Sequence, residues 1–202
     1  MLVGQAQALS ATGEKRSLKK GDKVFVGDTI ESGKKCYIKI QYTDGSTILL
    51  RPDTGLIIES YKDDEEGGGE SVATLLKGGL RSVTGAINQD KKNRTQIKTP
   101  VATLGIRGTD FVMRLCQDKE DNEKNDCDDL SDDGLYTSTY DGGTSLENSA
   151  GTVNSEAGEH AYVKGYDILP VLLKEPPLII ISQNLPSPTL DSGEFIPGTE
   201  CQ

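Results

Sequence analysis

The most regular signal along the chain is a period of two in its hydrophobic positions. Cys36, Ile38, Ile40 and Tyr42 alternate with Tyr37, Lys39 and Gln41, which puts the first set on one face of a strand and Cys36 on its buried side. Asp44-Gly45 then reads as a hairpin turn into Ile48-Leu49-Leu50. Further strands are predicted at Val24–Val26, through Leu56–Ile58, and at Ser71–Leu76 and Leu80–Val83, the last two joined around Gly78-Gly79. Phe111, Met113 and Leu115 share one face of another. From Cys116 to Gly134 the chain is polar and carries nine acids, as expected of a loop inserted in a hairpin. Strands resume at Tyr136–Tyr140, turn at Asp141-Gly142-Gly143, and continue through Leu146, Val153 and Ala161–Val163. No stretch carries the 3.6-residue pattern of a long amphipathic helix.

Composition narrows the fold class. Aromatics make up 5% of the 202 residues and tryptophan is absent, so Ile, Leu, Val and Tyr must build the core. With 23 glycines and 8 prolines, the pattern predicts an all-β fold: a sandwich or jelly roll, or a short β-helix-like roll of many short strands. The expected organisation is a β domain over 1–115, an acidic loop over 116–134, a distal β extension of the same domain over 135–168, and a Pro-rich tail over 169–202. In that tail Leu178, Ile179, Ile180 and Ile181 form a solitary apolar strand. It needs a partner edge, either by capping its own sheet or by adding to a neighbour's.

Charge and cysteines bear on partners and compartment. A formal net charge of −10 argues against nucleic acid, whose binding relies on Lys and Arg neutralising phosphates, and against anionic membranes. Cys116 and Cys127 flank the polar loop and suit a local disulfide worth about 3 kcal/mol. By elimination Cys36 would pair with Cys201, within the chain or between chains; four reduced thiols are the alternative. Disulfides would imply an oxidising compartment. Met1–Gly4 has neither the basic nor the apolar region of a secretion signal, so the expectation is a cleaved signal or an unusual export route. The most apolar stretch, Ile168 to Ile181, is broken by Lys174, Glu175, Pro176 and Pro177, which disfavours a membrane-spanning helix.

Catalytic chemistry finds little to work with. His160 is the single histidine, no GxSxG elbow occurs, and Gly67-Gly68-Gly69 lacks a following GK[ST]. His160 therefore reads as an ordinary edge residue and the chain as a non-enzyme with no cofactor. Calcium is the one metal the acidic loop could hold, with Asp126, Asp128, Asp129 and Asp132 as candidates, although the EF-hand spacing is missing and charge runs are usually solvated.

The densest motif is Thr99-Pro100-Val101-Ala102-Thr103-Leu104-Gly105-Ile106-Arg107-Gly108-Thr109-Asp110-Phe111. It resembles the hallmark of the bacterial FecR domain. Three further pieces resemble the same family in order: Leu18–Asp22 with Gly27–Gly33, then Ile40–Ser46, then Leu76–Arg81. Gly134–Lys164 is similar to an extension seen in a subset of members. The resemblance implies an extracytoplasmic, non-catalytic module working by protein contact, in the periplasm, at the cell surface or secreted. Within the motif, Gly105 and Gly108 are expected at tight turns, and Arg107 is expected to hold Asp110 or backbone carbonyls. The leading functional expectation is an interaction or scaffold domain, with a cell-surface or filament subunit using strand addition as its sharper form. The alternative is a sensor or signal-relay component of a FecR-type transport-regulation system. Neither nucleic acid nor membrane insertion is expected, and the partner is a protein or a second copy.

Overall fold

The computed structural model describes residues 5–63, 69–84, 94–117, 127 and 132–177. Thirteen strands join one mixed sheet that does not close on itself: β1 (Ala6–Leu9), β2 (Lys15–Ser17), β3 (Thr29–Ser32), β4 (Ile38–Gln41), β5 (Thr47–Leu50), β6 (Gly55–Lys62), β7 (Glu70–Val83), β8 (Arg94–Lys98), β9 (Thr103–Cys116), β10 (Gly134–Asn148), β11 (Gly151–Glu156), β12 (His160–Val163) and β13 (Val171–Leu173). No helix occurs among the described residues. All pairings are antiparallel except β7 with β8.

Three long strands fold this sheet over itself. The first half of β7 pairs with β6 and β8, its second half with β5 and β9. β9 pairs first with β8 and then with β7, while β10 follows β9 throughout and hands its other edge to β12 and then β11. Two layers result. One runs β4-β5-β7-β9-β10-β12-β13, the other β2-β1-β3-β6-β7-β8-β9-β10-β11, with the long strands shared. Leu50, Leu80, Met113, Thr137 and Ala161 stand in register across the first layer. Ala8, Ile30 and Leu56 do so in the second, as do Ala73, Ile97, Leu104 and Leu146. The aliphatic side chains of these rows meet in one continuous core, with Phe111 fully buried among them.

Glycines mark the points where a strand crosses between layers. At Gly78-Gly79 a Cβ on Gly78 would sit 2.7 Å from the Asp53 carbonyl oxygen, and one on Gly79 equally close to that of Met113. At the second crossing Gly108 has φ +57° and faces Gly142, φ +70°, whose Cβ would collide with the Gly108 carbonyl. The β9–β10 register shifts here, between Thr139 and Gly143. The sequence pattern places turns at both sites, splitting β7 and β10. In fact each is one strand, of 14 and 15 residues, because a φ > 0 glycine can bend a strand without ending it. Val24–Val26, expected as a strand, is irregular: the Asp28 carboxylate accepts the Phe25 amide at 2.8 Å and folds this segment into a turn.

A second, smaller cluster lies on the outer face of the first layer. Leu49, Val112, Cys116, Cys127 and Tyr136 are buried together, flanked by Tyr37, Tyr162 and Leu173. Cys116 and Cys127 form the expected disulfide. Cys36 is fully buried and is not a free thiol; the expected partner, Cys201, lies outside the described residues.

These crossings define a contrast. Gly142→Ala should cost more than about 2 kcal/mol, from strain at positive φ and backbone collision, and lower Tm by roughly 4–8 °C. Gly105→Ala should cost less than about 1 kcal/mol, since a Cβ there would meet Ser145 at an ordinary 3.7 Å. Thermal unfolding of the two variants checks both.

Candidate protein interface

The motif residues sit where the fold turns and bends. Thr99 shapes the β8–β9 hairpin: its Oγ1 accepts the Ala102 amide at 3.1 Å and donates to the Ala102 carbonyl at 2.8 Å, with Pro100 exposed at the tip. Gly108 takes positive φ as expected, whereas Gly105 does not and lies within a regular stretch of β9. Arg107 is exposed and does not hold Asp110. Arg81 of β7 does, through Nε to Oδ1 at 2.9 Å and Nη2 to Oδ2 at 2.6 Å. The strand direction explains the correction: Arg81 and Asp110 lie on the same outer face of neighbouring strands, whereas Arg107 lies beyond the Gly108 bend. Thr109 is buried, and its amide donates to Thr84 Oγ1 at 2.7 Å.

The other pieces play similar parts. Asp28 is buried and accepts Arg16 Nη2 at 2.6 Å in addition to the Phe25 amide. The Arg16 hydrogen bond is the main cause holding its carboxyl below the usual range, with burial opposing it. Asp44 closes the β4–β5 hairpin by accepting the Ser46 amide at 3.0 Å and the Ser46 hydroxyl at 2.6 Å. These motif residues are staples of the fold.

Among the described residues, reactive groups do not converge on one accessible site. Ser138 Oγ lies 2.6 Å from His160 Nδ1, but Ser138 is fully buried, and a nucleophile needs a site where substrate can sit. Burial lowers the His160 pKa. Of the calcium candidates, Asp132 lies 3.5 Å from Lys164 Nζ, and Asp126, Asp128 and Asp129 fall outside the described residues. Among the described residues no group of three His, Cys, Asp or Glu side chains could hold a metal, and no helix is long and apolar enough to cross a membrane. A cavity of about 20 Å³ between Ser71, Ser82, Thr95 and Gln96 has room for a single water.

The sheet margins differ sharply from one another. Exposed strand edges invite pairing, and proteins usually guard them with charge. β2 presents Lys15 and Arg16, β4 presents Lys39 and Gln41, and β11 presents Thr152, Asn154 and Glu156. β13 presents Val171 and Leu172, which are 46% and 45% exposed. The segment before it adds Tyr166, Ile168 and Leu169, at 64%, 46% and 55%. This apolar seam is firmly held. Asn148 Nδ2 donates to the carbonyls of Gly165 and Ile168 at 2.9 and 2.6 Å, and Ser149 Oγ to that of Tyr166 at 2.7 Å. Exposed apolar patches on a fixed backbone mark contact sites. The sequence pattern points to Leu178–Ile181 as the docking strand, and those residues lie outside the described ones. The signal for β13 itself was present in Ile168–Leu173, masked by Pro170.

The family model described as FecR protein matches residues 28–125. Residues 28–125 are thus similar to a FecR domain. The match begins after the Leu18–Asp22 piece and ends before β10, so the apolar seam lies outside the matched FecR stretch. Two crystal structures, each described as a "putative anti-sigma factor" from Parabacteroides distasonis, share the fold. They have TM-scores of 0.57 and 0.56 and 12% identity, cover 76% of this chain, and are themselves covered over 63% and 62% of their lengths. The chain thus spans less than two thirds of those proteins. No curated protein matches it significantly.

The Asp28 staple carries a pH signature. Its folded pKa is depressed, so its contribution is complete above the ordinary carboxylate value and is lost as pH falls through the lower folded one. Asp28→Asn should cost about 2 kcal/mol at neutral pH. Urea denaturation across pH should show that gap intact down to about pH 4 and closing below it.

Proposed function

We propose that this chain is a regulatory, protein-binding FecR-type module that works outside the cytoplasm as a sensor or relay in transport-linked signalling. The family match carries the regulatory reading, and the shared fold of the anti-sigma-type structures supports it over a filament or scaffold role. The Cys116–Cys127 bond supports an oxidising compartment, because disulfides persist outside the cytosol and rarely within it.

Contact rests on the seam of Tyr166, Ile168, Leu169, Val171 and Leu172. Its residues are exposed, apolar and fixed by backbone hydrogen bonds, so a partner meets a preformed surface and pays little ordering cost. No reaction at a side chain is required.

Leu169→Asp with Val171→Asp should leave the fold intact, because both side chains are half exposed. In source cells this variant should alter the transcripts of a sigma-factor regulon as deletion of the whole chain does. Transcript profiling reads the outcome. A regulon changed by deletion but not by the double variant would place the contact elsewhere, and a regulon indifferent to both would contradict the regulatory role.

A further inference from the structure

The net charge of −10 averages over an uneven chain. Residues 14–35 hold seven Lys and Arg against four Asp and Glu. Within them the one arginine, Arg16, is paired with buried Asp28, so the exposed cations are all lysines: Lys15, Lys19, Lys20, Lys23, Lys34 and Lys35. They gather on one margin of the sheet. β2 is its edge strand, and Arg16 fastens the following loop beside it by donating to the Lys23 carbonyl at 3.0 Å and to Asp28 at 2.6 Å. Lys19 and Lys20 leave β2 at the same end of β1 as Lys34 and Lys35 leave β3. There the Leu18 amide donates to the Ala6 carbonyl at 2.8 Å and the Gly33 amide to that of Gln5 at 3.0 Å.

The same loop lifts two apolar side chains into solvent. Phe25 and Val26 are 58% and 54% exposed, on a tight turn that Gly27 permits at φ +90°. Its backbone is satisfied from within. The Asp28 amide donates to the Phe25 carbonyl at 3.0 Å, the Gly27 amide to that of Ile58 at 2.7 Å, and the Phe25 amide to the Asp28 carboxylate. These amides would enter a low-dielectric layer already paired. The Arg16 guanidinium lies 5.5 Å from the Phe25 ring centre and steadies it.

We infer that this β2 margin is a peripheral docking surface for an anionic lipid bilayer, with Phe25 and Val26 entering the headgroup layer and the lysines engaging its phosphates. Lysines are point charges on flexible stems and suit a diffuse field of headgroups, whereas a fixed carboxylate partner favours the arginine fork. The acidic remainder of the chain does not cancel the patch, because charges are screened within about 10 Å at 0.1 M salt. β7, β9 and β10 lie between this margin and β13, so docking turns the seam away from the lipid. Only that consequence rests on the seam reading; the docking itself does not.

Co-sedimentation of the full chain with phosphatidylcholine vesicles, with and without roughly 30% phosphatidylglycerol, tests this. The chain should bind the anionic vesicles and not the neutral ones, more weakly as salt rises. Lys19→Glu with Lys23→Glu should weaken binding about 10-fold or more, and Phe25→Ser with Val26→Ser should do likewise. Lys39→Glu, elsewhere on the sheet, should leave it unchanged, as should Leu169→Asp with Val171→Asp at the seam. Thermal unfolding checks that each variant is folded. Failure to bind anionic vesicles, or equal binding to neutral ones, would overturn the inference. So would binding that ignores Phe25→Ser with Val26→Ser and is displaced by polyglutamate, since the surface would then suit an acidic protein chain.

Discussion

Everything in this molecule depends on three strands that must serve two layers at once. β7, β9 and β10 each pair with one set of neighbours over their first half and another over their second. A β-strand this long has no reason to bend at its middle unless the backbone there can adopt what side chains forbid. Gly78, Gly108 and Gly142, all at positive φ, supply that freedom. The core between the layers exists because those bends bring Leu75 and Leu104 over against Leu80 and Met113, and the family motif is largely the chemistry of making the bends.

That dependence accounts for the structural part the motif residues play. Thr99, Gly108, Thr109, Asp110 and Phe111 are occupied with a turn, a bend, buried hydrogen bonds, an ion pair and the core. What a sheet of this shape leaves over is its margins. Among the described residues, three margins are guarded by charged or polar side chains, and the fourth, β13 with the segment before it, is apolar. The proposed function by contact rests on that asymmetry.

Much of the architecture was legible in the chain. Alternation at Cys36–Tyr42, the Asp44-Gly45 hairpin, the cysteines flanking the acidic loop and the all-β class follow from periodicity and turn chemistry. The long strands were not, because a glycine that bends a strand and one that ends it look alike in sequence; only the pairing partners distinguish them. Arg81 rather than Arg107 as the holder of Asp110 was hidden for a related reason, since cross-strand neighbours separated by 29 residues leave no local pattern. The seam was half visible: its hydrophobicity showed, but Pro170 broke the run, and exposure is a property of the fold.

The most direct test of the seam as the working surface is site-specific photocrosslinking in the source cells. A photoreactive residue at Tyr166 should yield a defined protein adduct, whereas the same residue at Lys15 or Lys39, on guarded edges, should yield none. Adducts from the guarded edges with nothing from Tyr166 would contradict the account.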